Sequence, residues 1–428
     1  MKNRILIILL MAICTFSILD ADNNSDKIYI IKINGVIGPP IANYVINNIE
    51  KAEEDNADAI LLEIDTPGGL LESMRKIITK IMNTPLPVIG YVTPEGARAA
   101  SAGAFIMMAC DISVMTSTSS IGAAHPVTLG AKIDSTMEKK ILNDMFSYMK
   151  SLAKKRNRNQ EVAKKMISES ISLAADEALA KNIIDFIAES REELLEKIDN
   201  MEIEKNDKKI IFHTEFAEFI TKEMSFIEKF FFHISNPNIA YILLMLGIYG
   251  IIAEFSSPGI GFAGVFGSIS LLLAFFALSS LPLNLAGILL IATGIILILL
   301  EIKVQSSGIL GIGGVVSTVL GSLMLIQTNA PFLKISISLI IGVGLFTLLF
   351  FLLLLSLVVK IHRKKVTTGR EGLIDEVGYA RTALNPEGSV FVRGELWRAI
   401  SIDGNIKKDE KIRVVKMEHF KLFVKKLD

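Results

Sequence analysis

Hydrophobic and polar positions follow three different rhythms along this chain. In residues 22–235, short apolar runs alternate with segments of helical period. Residues 27–33 (KIYIIKI) form a β-rich strand closed by Asn34-Gly35, and 59–65 (AILLEID) has the pattern of a buried parallel strand. Residues 87–92 form a third such run and 111–115 a shorter fourth. Between them, 41–54 and 70–82 repeat apolar residues at intervals of three and four, as amphipathic helices do. The alternation predicts an α/β domain with a parallel sheet and right-handed crossovers. Further on, Ile141, Leu142, Met145, Tyr148, Met149 and Leu152 place an amphipathic helix over 137–156. The preceding stretch, 127–136, reads as a mobile loop. A short helix and a β-like Ile183-Ile184 are expected within 173–188.

The second rhythm is an almost unbroken apolar block, 236–360. Turn signals divide it into five spans, at 239–254, 260–280, 284–300, 309–327 and 333–359. The first and third are short for a hydrocarbon core of roughly 30 Å. Glycines such as those in Gly308-Ile309-Leu310-Gly311 permit close helix packing. Glu254 and Glu301 fall at span ends and read as interfacial. Lys360, Arg363, Lys364 and Lys365 follow the last span, which puts that end in the cytoplasm by the positive-inside rule. Five spans then leave 22–235 outside. The third rhythm, 366–428, consists of short alternating runs separated by Gly378, Gly388 and Gly404, the signature of a small β-barrel. Residues 1–21 have a basic start and an apolar run, the form of a signal peptide or N-terminal anchor.

Composition narrows the function. Formal charge is zero, so there is no general attraction to nucleic acid. Two cysteines, one of them in the leader, give no disulfide framework, and five histidines without ligand spacing give no metal site. No cofactor is expected.

The candidate chemistry lies beyond the carboxyl ends of the strands, where sites form in open α/β sheets. Ala99-Ala100-Ser101-Ala102-Gly103 places one hydroxyl where a small-residue loop enters an apolar helix. Unpaired N–H groups at a helix start suit an oxyanion. Asp65-Thr66-Pro67-Gly68-Gly69 ends the strand one βα unit earlier. Gly68, Gly69 and the N–H of Ala102 could form an oxyanion hole beside Ser101. Lys139 and Lys140 lie in the first turn of the 137–156 helix, where two solvated lysines on a charged face are the plain reading. Cys110 and Asp111 have no evident role.

These motifs, with Ser120-Ile121-Gly122-Ala123 and the segment 140–153, resemble the long-form NfeD proteins, and the resemblance covers nearly the whole chain after the leader. It implies a Clp-protease/crotonase-like α/β domain at 22–235, a transmembrane block at 236–360 and an OB-fold-like barrel at 366–428. It also implies a membrane-anchored serine endopeptidase with a Ser–Lys dyad. Ser101 matches the nucleophile. Lys140 matches the base, in a register set by Tyr148 and Lys150-Ser151-Leu152-Ala153, with Lys139 a weaker candidate. His125 stays open as an alternative base, since Clp proteases carry their histidine at a comparable distance. The expected substrates are apolar segments of membrane-associated proteins, the expected partner is a stomatin-like protein, and homo-oligomerisation is implied. A signal-peptide-peptidase-like degrader, a non-catalytic membrane scaffold and an acyl-CoA enzyme are the competing readings.

Overall fold

The computed structural model describes residues 26–126, 135–256, 261–279, 281–304, 308–328, 330–362 and 370–427. The expected leader and most of the expected loop at 127–136 lie outside them. The chain divides into two compact units, one ending at Phe346 and one beginning at Thr347.

The first unit opens with β1 (Lys27–Asn34), α1 (Pro39–Glu54), β2 (Ala59–Asp65), α2 (Leu71–Asn83) and β3 (Val88–Val92). Next come β4 (Arg98–Ala100), α3 (Ala102–Ala109), β5 (Ile112–Met115), β6 (Ser120–Gly122), α4 (Ser135–Lys155) and α5 (Gln160–Ser168). β7 (Ser172–Ala174), α6 (Ala175–Ala180), β8 (Phe186–Ile187), α7 (Arg191–Ile198), β9 (Glu202–Lys205), β10 (Lys208–Ile211) and β11 (Glu218–Thr221) complete the domain.

Six strands form one parallel sheet in the order β11-β1-β2-β3-β5-β8. Its central strands β2, β3 and β5 are largely buried because both faces are covered, while the edge strand β11 exposes Glu218 and Thr221. In β1, Tyr29, Ile31 and Ile33 enter the core that holds α1 to α4, while Ile28 and Ile30 enter a second core beneath α7. A smaller sheet, β4-β6-β7, crosses the carboxyl end of the large one. The expected helices and strands form with shifts of one or two residues, with two exceptions. The strand foreseen at Ile183-Ile184 forms at Phe186–Ile187 instead, where the backbone pairs with β5, while Ile183 and Ile184 follow α6 and pack into the first core. The loop before Ser101 contains a strand, β4.

Helix α8 (Phe226–Ile234) leads into five apolar helices: α9 (Pro237–Ser256), α10 (Phe262–Leu278), α11 (Leu285–Val304), α12 (Ile309–Met324) and α13 (Ile337–His362). These correspond to the five expected spans. The first is not short: 237–255 and 331–353 are each long and apolar enough to cross a membrane, and the three between them are shorter. α9 and α10 form one close hairpin, α11 and α12 another. The two share a pattern at constant offset. Gly247, Glu254, Gly261, Gly264 and Gly267 in the first correspond to Gly294, Glu301, Gly308, Gly311 and Gly314 in the second. Gly261 and Gly308 hold positive φ at the helix starts (+69° and +92°), which glycine adopts without a Cβ clash. A Cβ on Gly267 would lie 2.9 Å from the Gly247 carbonyl oxygen, and one on Gly314 would lie 2.7 Å from that of Gly294.

Neither glutamate is merely interfacial. Glu254 Oε2 accepts from Gly264 N at 3.1 Å. The two carboxylate oxygens of Glu301 accept from Gly308 N at 2.9 Å and Gly311 N at 3.2 Å. Glu301 is 1% exposed. Each satisfies N–H groups that a helix start leaves without partners.

The second unit holds a closed barrel of β12 (Val377–Ala380), β13 (Glu387–Val392), β14 (Glu395–Ser401), β16 (Lys421–Lys426) and β15 (Lys411–Glu418). Alternating residues such as Val390, Val392, Ile412, Val414, Leu422 and Val424 fill its interior. The expected small β-barrel is present, with β14 and β16 paired in parallel.

Candidate active site

Ser101 sits where β4 ends and α3 begins. Three connections meet there. Thr66 N donates to Arg98 O at 2.7 Å and Ala100 N to Thr66 O at 3.1 Å, which ties the turn after β2 to β4. Ser101 N donates to Gly122 O at 3.0 Å, which ties it to β6. The Thr66 hydroxyl donates to Gly35 O at 2.7 Å, which brings in the end of β1. Thr66 is the organising residue that sequence reasoning passed over; it lay inside the quoted motif, but only the folded turn shows its hydroxyl at the centre.

Held this way, Ser101 has φ 53° and ψ −113°, outside the regions open to ordinary L residues. Such backbone persists only where the surroundings over-determine it, and it gathers at functional sites. Its Oγ makes no hydrogen bond among the described residues. Gly68 packs directly against it: a Cβ there would lie 2.7 Å from Ser101 Cβ.

The three expected oxyanion donors divide. Gly68 N donates to Thr66 Oγ1 at 3.0 Å, so its N–H is already engaged. The N–H groups of Gly69 and Ala102 have no partner among the described residues. Gly69, Ser101 and Ala102 line one cavity of about 250 Å³. The rest of its wall is largely apolar, from Leu71 and Met74 on α2 and from Ile141, Leu142 and Met145 on α4.

The two candidate bases also divide. His125 lines this cavity. Its Nδ1 meets the Ile167 carbonyl oxygen at 2.9 Å, so Nδ1 carries the proton and Nε2 is left as the acceptor. The group orienting it is a backbone carbonyl and not a carboxylate. Lys140 is exposed, as is Lys139. It belongs to the first turns of α4, whose cavity-facing stripe is Glu138, Ile141, Leu142 and Met145. Lys140 therefore lies on the wall helix but off its lining stripe.

The helix carrying Ser101 is anchored at its other end. All eight residues of α3 are buried, so its last carbonyls need internal donors. Arg156 Nε donates to Ala109 O at 2.9 Å. Arg158 donates to Met107 O at 2.6 Å and Cys110 O at 3.2 Å, and pairs with Asp185 at 3.1 Å. Asp111 binds Arg156 and, at 2.6 Å, Lys205. Its role, which the sequence did not reveal, is to neutralise these buried cations. Burial holds the Lys205 ammonium below its usual range, against the pull of Asp111, and pushes the Cys110 thiol up to about 12. Cys110 is thus an inert core residue.

Three family models match the chain: the NfeD1b N-terminal domain over 27–206, the NfeD integral membrane domain over 238–357, and the NfeD-like C-terminal, partner-binding domain over 370–426. Membrane-bound protease PH1510 of Pyrococcus horikoshii is 35% identical over 434 residues, covering 99% of this chain and 98% of its own. Membrane protein NfeD1b of Bacillus subtilis is 28% identical over 442 residues, covering 96% and 95%. Among solved structures, the 1510-N membrane-bound stomatin-specific protease, a lysine-to-alanine mutant with a substrate peptide, is 32% identical with a TM-score of 0.46. It covers 49% of this chain and 98% of its own.

Proposed function

The chain belongs to the long-form NfeD family of membrane proteins, and on that premise we propose that it is a membrane-anchored serine endopeptidase. The observation that carries this reading is Ser101: a strained hydroxyl residue between two unpaired N–H groups in an apolar cavity. A relative matching almost end to end and named a membrane-bound protease supports it.

In the proposed mechanism Ser101 Oγ attacks a peptide carbonyl while its proton passes to a base. The developing oxyanion accepts from Gly69 and Ala102 N–H. Gly68 serves by leaving room and by shaping the turn. Collapse expels the amine, which takes the proton from the base, and water then hydrolyses the acyl-serine. Lys140 is the proposed base, in neutral form, by its match to the family's lysine. It must turn from solvent toward the cavity, and assembly of several copies over α4 would desolvate it. The fixed tautomer of His125 favours a second reading, in which its Nε2 takes the proton.

Substrates are apolar segments of membrane-associated proteins, and a stomatin-like protein is the proposed partner, held by the 370–426 domain. The cationic run after α13 supports a cytoplasmic place for that domain and an outer place for the protease domain.

The test uses the full chain in detergent, comparing wild type with Ser101→Ala, Lys140→Ala and His125→Ala. An alkyl fluorophosphonate reads the serine, and apolar peptides read cleavage. Loss of both signals in the Ser101 and Lys140 variants, with His125→Ala active, is the expected result. Loss in His125→Ala alone would move the base to His125. A folded wild type that neither labels nor cleaves would leave a membrane scaffold as the better reading.

A further inference from the structure

The cavity at Ser101 has a wall that does not belong to the protease domain. Ala330, Phe332 and Leu333, in the connection between α12 and α13, line it together with Ser101. Phe332 and Leu333 also line a second cavity of about 250 Å³, whose other side carries Val36, Leu70, Phe232 and Leu281. Leu281 lies just past the end of α10. The two residues thus separate the Ser101 cavity from an apolar recess that reaches the ends of the membrane helices.

This wall is built and held. Ala330 N donates to the buried Thr328 hydroxyl at 3.0 Å, and Leu333 N to Ala330 O at 3.1 Å. Just before it, Ile326 bridges Leu283, with Gln327 N donating to Pro282 O at 3.2 Å. Just after it, Ser336 N donates to Asn238 Oδ1 at 2.8 Å. Leu333 is buried, while Phe332 is half-buried between the two cavities. A connection whose backbone is held at both ends in this way presents its side chains from a fixed position, which suits it to setting specificity.

We propose that Phe332 of the membrane block is a specificity-determining residue, closing the pocket that receives the apolar side chain beside the carbonyl attacked by Ser101. The occupant is an extended apolar peptide. Such a peptide meets apolar wall on three sides, from α2, α4 and the 330–333 connection, with Gly69 and Ala102 N–H at the floor. The proposal rests on Ser101 being the nucleophile. It makes the side-chain preference depend on the membrane block through a defined contact, since the protease domain alone would lack that wall.

Peptidyl diphenyl phosphonates carrying alanine, leucine or phenylalanine side chains at the phosphorus end test this in the full chain in lipid nanodiscs. Each labels a nucleophilic serine by displacing phenoxide, so the rate reports fit of one side chain. Pocket contacts of this size discriminate by roughly 10- to 200-fold per group. Phe332→Ala is expected to raise the phenylalanine-to-alanine rate ratio about tenfold, and Phe332→Trp to lower it. A ratio equal to wild type in either labelled variant overturns the proposal while leaving the serine reading intact. A wild-type chain labelled by none of the phosphonates, nor by the alkyl fluorophosphonate, overturns the serine reading and this inference with it.

Discussion

The helix that begins at Ser101 and the paired helices of the membrane block meet the same difficulty at opposite ends. α3 is buried along its whole length and leaves carbonyls without donors at its carboxyl end. Arginines 156 and 158 supply them. α10 and α12 leave N–H groups without acceptors at their amino ends, and Glu254 and Glu301 supply those. In each case the charge sign matches the helix end, cation to carbonyls and anion to N–H groups. The two regions differ in the group that carries the charge. The α/β domain uses arginines, held in turn by Asp111 and Asp185. The hairpins use glutamates that accept from backbone N–H groups. Water exclusion is common to both regions, and it makes an abandoned partner costly.

Removing a charge on the soluble side should have the largest effect. Arg158 is 4% exposed and makes three contacts. Arg158→Met should cost about 3–5 kcal/mol, because carbonyls and Asp185 lose their donor together. Denaturant unfolding of the detergent-solubilised chain, read by near-ultraviolet dichroism, measures it; a loss under 1 kcal/mol would contradict the anchoring role.

Glu301→Leu should follow, at about 2–4 kcal/mol for two stranded N–H groups. Hydrogen exchange at Gly308 and Gly311 would reveal the opening, and Glu301→Gln should keep most of the protection because an amide oxygen still accepts. If the two variants behave alike, the carboxylate is no cap.

Glu254 is half-buried and accepts from the backbone N–H of Gly264. Glu254→Leu should therefore cost less, about 1–2 kcal/mol. An equal or larger effect than at Glu301 would break the reading of the hairpins as stronger and weaker versions of one device.

The smallest effect concerns a neutral buried group. Burial, reinforced by the hydrogen bond to Asp55, raises the Tyr29 phenol to about 12. Between pH 10 and 12 the unfolded chain loses this proton while the folded chain keeps it. Stability should therefore fall with rising pH across that window. Tyr29→Phe should flatten that part of the alkaline unfolding curve; an unchanged slope would assign the loss to other tyrosines.

How much was legible beforehand differs between the same two regions. In the α/β domain, the runs at 27–33 and 59–65 announced buried strands, because strands covered on both faces are apolar at successive positions over most of their length. The Ser101 and Gly68-Gly69 motifs were legible as chemistry only in combination, because small residues before an apolar helix by themselves also serve tight helix packing. In the membrane block, the five helices were legible from hydropathy alone. The repeat linking Glu254 to Glu301 was also present in the order of residues, yet it went unread, since each glutamate sits at a span end where a charge needs no explanation.

The sequence by itself determined the alternation of elements, the membrane block, the barrel and the small-residue junction at Ser101, since each follows from local periodicity and backbone freedom. Only the tertiary structure decided the rest. It decided that Gly68 spends its N–H on Thr66 while Gly69 and Ala102 keep theirs. It placed His125 in the cavity wall and Lys140 off it, a matter of which way a helix is turned. It brought Phe332 into the wall of the Ser101 cavity, although the two are far apart in the chain. Contacts of that kind depend on how separately folded elements pack, and no local pattern records them.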